Sequence, residues 1–111
     1  MPYDEDLAQR IRALVGRERG LNEKRMFGGL AFLIGGNLAI AASGQGGILV
    51  RVGPERSDEL VATTKASVAV MGGRPRVGWL RVAAEDLGTK RQLSKWVDLG
   101  VGVARSLPAK G

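Results

Sequence analysis

The sequence contains neither histidine nor cysteine, so any chemistry would depend on carboxylates, lysines, hydroxyl groups or the single tyrosine. This composition excludes Ser-His-Asp and Cys-His nucleophiles, metal sites built from His or Cys, and disulfides. The acid pairs Asp58-Glu59 and Glu85-Asp86 have no spacing typical of a catalytic pair, and we interpret them as helix-start or surface residues. We therefore predict no catalytic residue, no metal ligand and no cofactor.

Two glycine-rich stretches could bring backbone close to a ligand. Met26, Phe27, Gly28 and Gly29 could form such a contact, but a β-bulge or bend is the favoured interpretation. Residues 44–47 (GQGG) match neither GxGxxG followed by a helix nor GxxxxGK[ST]. The second stretch therefore predicts a turn rather than a nucleotide site.

Basic residues give the strongest functional signal. Residues 60–84 contain four cations and no acid, and the cations of the last predicted helix lie opposite its apolar side. Such a face could follow the phosphates of a nucleic acid, although a merely solvated face is the simpler interpretation. The candidate partner or nucleic-acid contacts are Arg74, Arg76, Arg81, Lys90, Arg91, Lys95 and Arg105.

The length of 111 residues and net charge of +6 predict one small domain spanning residues 1–111. Acids at positions 4–6 replace the basic residues of a secretory signal, so we expect a cytoplasmic protein. The uncharged run 26–50 is long enough for a membrane span, but its seven glycines separate short apolar stretches. We predict strands for this run and no membrane association.

The first half of the chain predicts a helix followed by three strands. Leu7, Ile11, Leu14 and Val15 recur at helical spacing. From residue 26 the pattern changes to apolar runs separated by glycines: MFGGLAFLI, NLAIAA and ILVRV. Such runs are typical of an antiparallel meander.

The second half predicts a helix, two strands and a last helix. Pro54 favours a helix start, and residues 67–71 and 77–82 favour strands. Thr89 and Gln92 form a capping box for the last helix. Its predicted apolar stripe contains Leu93, Trp96, Val97, Gly100, Ala104 and Leu107. The order α-β-β-β-α-β-β-α predicts one α+β domain of two layers, with helices on an antiparallel sheet of about five strands.

Four separated stretches carry a family resemblance: MFGGLAFLI from residue 26, ILVRVGPE from residue 48, GRPRVGW from residue 73 and LSKWVDLGVGVARSLP from residue 93. In this order they resemble the N-terminal domain of the TfoX/Sxy family, regulators associated with bacterial competence. The resemblance extends from residue 3 to residue 108. The family-motif residues singled out are Met26, Phe27, Gly28, Gly29, Gly73, Arg74, Pro75, Gly78 and Trp79.

The resemblance implies an antiparallel sheet with helices and a regulatory role exerted alongside a cyclic-AMP-receptor-type transcription activator. Full-length competence regulators add a helical C-terminal domain, so the resemblance implies a stand-alone N-terminal-like domain here. We expect a non-enzymatic interaction module that acts in transcriptional regulation through protein contacts. Nucleic-acid binding by a basic face is the alternative, and a small-ligand-binding or enzymatic domain is less favoured. Direct DNA contact and a homodimer are left open.

Overall fold

Three α-helices and six strands form two layers in the computed structural model, which describes residues 3–26 and 28–108. In chain order they are α1 (Glu5–Val15), β1 (Leu21–Met26), β2 (Gly29–Ile34), β3 (Asn37–Ala42), β4 (Ile48–Arg51), α2 (Pro54–Thr63), β5 (Ser67–Met71), β6 (Arg74–Val82), a 3-10 helix (Ala84–Leu87) and α3 (Lys90–Ser106). The predicted α+β class and element order are confirmed.

The strands form one antiparallel sheet in the order β1-β2-β3-β4-β6-β5. The sequence predicts about five strands, and the additional one is β1 at one edge. Its sequence, LNEKRM, exposes four consecutive polar or charged side chains, so it lacks the apolar alternation that identifies a strand. Charged side chains at a sheet edge disfavour pairing with another chain.

All three helices pack on one face of the sheet. Ile11 of α1, Leu60 of α2 and Trp96 of α3 belong to one buried cluster. Phe32 and Ile40 extend into the same cluster from the middle strands β2 and β3. Burial of these apolar surfaces is the main driving force that holds the helix layer on the sheet.

The structure confirms the predicted start of α3 and most of its buried stripe. Thr89 Oγ1 accepts a hydrogen bond from the Gln92 backbone N–H at 3.1 Å, and Gln92 Oε1 accepts one from the Thr89 N–H at 2.9 Å. The buried side of the helix contains Leu93, Trp96, Val97, Gly100 and Ala104. The placement of Leu107 on this stripe is wrong, because α3 ends at Ser106 and Leu107 is a half-buried C-cap residue.

Within residues 3–26 and 28–108, no helix packs on the second face of the sheet. A separate buried cluster lies there, formed by Ala31, Leu33, Leu38, Ala41, Leu49 and Ala69. Met26, Met71 and Trp79 pack against it while half-buried, and no residue of the three described α-helices belongs to it. We call this side of the sheet the open face.

The uncharged run 26–50 contributes strands rather than a membrane helix. It contains β2, β3 and most of β4, as the glycines between its short apolar stretches predicted. Within the described residues, no helix combines the length and apolarity needed to cross a bilayer.

Candidate interaction surface

The strands β5 and β6 form a hairpin that extends beyond the end of β4. Arg51 of β4 pairs with Trp79, and β4 pairs no further toward the hairpin tip. Beyond that point only β5 pairs with β6, from Ala69 opposite Arg76 to Met71 opposite Arg74. The turn is made by Gly72 and Gly73, both at positive φ. We call residues 69–77 the hairpin arm.

A break in the strand register separates the arm from the rest of the sheet. Val68 pairs with Leu80, whereas the next residue, Ala69, pairs with Arg76. Gly78 lies in this irregular segment with φ of 95°, and its carbonyl accepts hydrogen bonds from Val52 and Gly53 N–H at 2.7 and 3.2 Å. A side chain at position 78 would collide with Pro54, so glycine allows the arm to dock on the start of α2.

One side of the hairpin arm is apolar and exposed. Val70 is 57% exposed and Val77 is 58% exposed, the highest values among the large hydrophobic residues that the structure describes. Val70 pairs with Pro75, and Val77 follows Pro75 by two residues, so strand alternation places all three on the same side. Exposed apolar side chains grouped at one site are available for contact with another protein.

The other side of the arm is basic and belongs to the open face. Arg76 pairs with Ala69 and Arg74 pairs with Met71, and residues paired across antiparallel strands project to the same face. Ala69 and Met71 contribute to the open-face cluster, so both arginines lie on that side. Both arginines are exposed.

Two further arginines on the open face are held by neighbouring side chains. The Arg51 guanidinium lies 5.2 Å from the centroid of the Trp79 ring, within the range of a cation–π contact. Arg81 pairs with Leu49, and its Nη1 donates to Ser43 Oγ at 2.9 Å across strand β4. These contacts restrict both side chains before any partner binds.

The charged side chains of the strands are mostly positive. The six strands contain Lys24, Arg25, Arg51, Arg74, Arg76 and Arg81 but one acid, Glu23. Glu23 pairs with Phe32, whose side chain lies in the helix-covered core, so Glu23 faces the helix layer. None of the strand positions on the open face, all of them within the described residues, is therefore acidic.

The other predicted contacts lie on α3, on the opposite side of the sheet. They are Lys90, Arg91, Lys95 and Arg105, and all four are exposed. Lys95 Nζ lies 5.4 Å from the Trp96 ring centroid, and Arg105 Nε donates to Glu18 Oε1 at 2.8 Å in an ion pair. The structure thus separates the predicted basic residues into two surfaces, Arg74, Arg76 and Arg81 on one and these four on the other.

The glycine-rich stretches have packing explanations. Gly28 lies in the turn between β1 and β2, and Phe27 lies outside the described residues. A Cβ at Gly29 would overlap the Ala42 carbonyl oxygen, and one at Gly47 would overlap the Val82 carbonyl oxygen. Close approach of neighbouring chain segments therefore accounts for glycine at positions 29 and 47. Residues 44–47 connect β3 to β4 as a turn, as predicted.

The clefts of the described residues are shallow, and the two described next differ in charge. A cleft of about 490 Å³ is lined by the 45–47 turn, Lys65, Ser67, Arg81 and Glu85. A smaller one of about 240 Å³ is lined by Tyr3, Arg25, Met26, Gly28 and Gly29. Among the described residues, no group of three or more Asp or Glu side chains is placed to hold a metal ion.

Arg51 was missed by the sequence analysis. It ends the apolar strand ILVR and lies outside the basic segment of residues 60–84. Only the strand order, which inserts β6 next to β4, brings Arg51 beside Trp79. The alternation of Ile48, Val50 and Val52 was a usable signal, because it places Leu49 and Arg51 on the face away from the core.

Comparison with known proteins identifies the family. No curated protein sequence matches the chain significantly. The TfoX N-terminal domain family matches residues 13–104, which include all six strands, α2, nearly all of α3 and the last three residues of α1. The matched segment contains both sides of the hairpin arm and the arginines of the open face. The chain therefore belongs to the TfoX N-terminal domain family.

Proposed function

We propose that this protein is a non-enzymatic, cytoplasmic interaction domain that acts in transcriptional regulation through protein contacts. The observation that carries this proposal is the apolar side of the hairpin arm, where Val70 and Val77 are both more than half exposed. Membership of the TfoX N-terminal domain family supports a regulatory role. The partner we propose is a cyclic-AMP-receptor-type transcription activator.

Burial of apolar surface and a small loss of conformational entropy favour this side of the arm as the contact. Each buried methylene-sized group contributes about 0.8 kcal/mol to association, so covering two valines stabilises a complex substantially. The arm is already ordered by the pairing of its two strands, β5 and β6, and by the Gly78 contacts to Val52 and Gly53. Little conformational entropy is therefore lost when a partner covers it.

Calorimetric titration of the purified activator, with cyclic AMP present, tests the proposal. The double variant Val70→Thr/Val77→Thr keeps the β-branched shape but replaces one methyl of each valine by a hydroxyl. We expect the dissociation constant to rise about tenfold, which corresponds to about 1.4 kcal/mol. Val61→Thr on α2 is the matched control, because Val61 is also exposed but lies outside the arm.

The control variant should bind like wild type. Absence of binding by wild type would reject the activator as partner. Equal binding by wild type and the arm variant would reject the arm as the contact.

A further inference from the structure

We infer that the open face binds the phosphate backbone of duplex DNA, with Arg74 and Arg76 of the hairpin arm as the principal contacts. This goes beyond the proposed protein contact, because it uses the opposite side of the arm. Arg51 and Arg81 extend the same surface toward the centre of the sheet. The binding is through charge and shape and does not read base sequence.

The exposed groups on the open face are ionic rather than apolar. The exposed large hydrophobic residues of the described chain are Val61, Val70 and Val77, and none of them lies on this face. Its partly buried apolar residues, Met26, Met71 and Trp79, pack against the cluster beneath them. A partner that gains from this surface must therefore supply negative charge rather than hydrophobic area.

The spacing of the arginines suits a regular polyanion. Arg74 and Arg76 are two residues apart on one side of a strand, which corresponds to about 7 Å. Duplex DNA carries about one charge per 1.7 Å of its axis, so side chains at this spacing meet phosphates in any sequence. A two-stranded β-ribbon also fits within the major groove, which is about 12 Å wide. The arm, with two glycines at its turn, is such a ribbon.

The environment of the cations preserves their attraction for phosphate. No open-face strand position carries an acid, so no carboxylate on these strands competes for the arginines. Glu85 borders the cleft beside Arg81, but Lys65 lines the same cleft and offsets it. The contacts of Arg51 with Trp79 and of Arg81 with Ser43 order those side chains in advance, which reduces the entropy lost on binding.

The basic residues of α3 are a less suitable surface and provide the control. Arg105 is paired with Glu18, and Asp98 lies on the same exposed stripe as Arg91 and Lys95. Phosphate would have to compete with both carboxylates there. Removing two charges from α3 should therefore affect DNA binding much less than removing two from the arm.

Fluorescence anisotropy with a labelled random-sequence duplex of about 20 base pairs, between about 50 and about 200 mM KCl, tests the inference. We compare wild type, Arg74→Gln/Arg76→Gln and Lys90→Gln/Arg91→Gln, the last two losing equal charge. Removing the arm arginines should make the negative slope of log K against log salt shallower by about 1.8, or about 0.9 per contact. The α3 variant should keep the wild-type slope.

The DNA-binding measurement and the activator titration can give independent results. Val70→Thr/Val77→Thr should keep the wild-type salt slope, since it changes the opposite side of the arm. Equal slopes for the two Gln variants would show general electrostatic attraction and overturn the inference, as would the absence of measurable binding by wild type at about 50 mM KCl. Melting temperatures of both Gln variants should match wild type, because all four substituted side chains are exposed.

Discussion

At the scale of single residues, Gly100 determines how closely α3 lies on the sheet. It is buried in the middle of the helix, and a Cβ there would overlap the Ala39 carbonyl oxygen and lie 3.2 Å from Val50 Cγ2. A helix with alanine at this position would have to move away from β3 and β4. The cost of glycine in a helix, about 1 kcal/mol relative to alanine, is thus offset by closer packing across the layer.

Gly100→Ala should destabilise the protein, because overpacking of this kind typically costs about 1–3 kcal/mol. Gly102→Ala on the same helix is the matched control, since a Cβ there meets nothing within 4 Å. The control should leave stability unchanged or raise it by up to about 1 kcal/mol through helix propensity. Urea denaturation measures both. If Gly100→Ala proved as stable as Gly102→Ala, the close contact between α3 and β3 would be wrong.

The position of Gly100 on the buried side of α3 was predicted from the sequence because the signal is local. The apolar stripe of α3 and the capping box at Thr89 depend only on residues within or next to one helix. Glycine on such a stripe indicates that the helix lies close to the sheet. The two sides of the hairpin arm could not be predicted in the same way. They depend on the register break between Val68 and Ala69, which no periodicity reveals. The separation of Arg105 from Arg74 likewise depends on which face of the sheet α3 covers.

At the scale of elements, an ion pair joins the edge strand β1 to the helix layer. Arg12 of α1 donates from Nε to Glu23 Oε2 at 2.6 Å and from Nη2 to Glu23 Oε1 at 2.7 Å. The Arg12 guanidinium also lies 6.0 Å from the centroid of the Phe32 ring. Because β1 exposes most of its side chains, this pair is an important link between the strand and α1. Backbone pairing with β2 at six positions keeps β1 in the sheet although its sequence lacks apolar alternation.

The Arg12 pair makes stability depend on pH in a defined direction. The hydrogen bonds from Arg12 lower the pKa of Glu23 from its ordinary value of 4.5, more than burial raises it. A carboxyl whose pKa is lower in the folded state stabilises the fold above its unfolded pKa, and loses that effect as pH falls through the folded pKa. The melting temperature of wild type should therefore exceed that of Glu23→Gln at pH 7. The difference should shrink below about pH 4.5.

Thermal unfolding from pH 7 to acid measures this difference. Glu59→Gln on the exposed side of α2 removes the same charge and is the control. Its melting temperature should stay close to wild type at every pH. A Glu23→Gln difference that did not decrease in acid would show that the pair does not hold β1 in place.

At the scale of the whole molecule, the two-layer arrangement creates two distinct surfaces on one hairpin. The helices cover one face of the sheet and leave the arginines of β4 and β6 on the other. Because the arm extends past β4, its helix-side valines are also uncovered. An activator bound to DNA offers a protein surface next to phosphates, so one arm can contact both. We therefore propose that Val70 and Val77 contact protein while Arg74 and Arg76 contact DNA.

Photo-crosslinking of the complex with the activator on its DNA tests this claim most directly. Benzoylphenylalanine is placed in turn at positions 70, 76 and 91, which lie on the apolar side of the arm, the open face and α3. We expect a crosslink from position 70 to the activator, one from position 76 to DNA, and none from position 91. Crosslinks from position 91, together with none from positions 70 and 76, would contradict these assignments and place the interaction on α3.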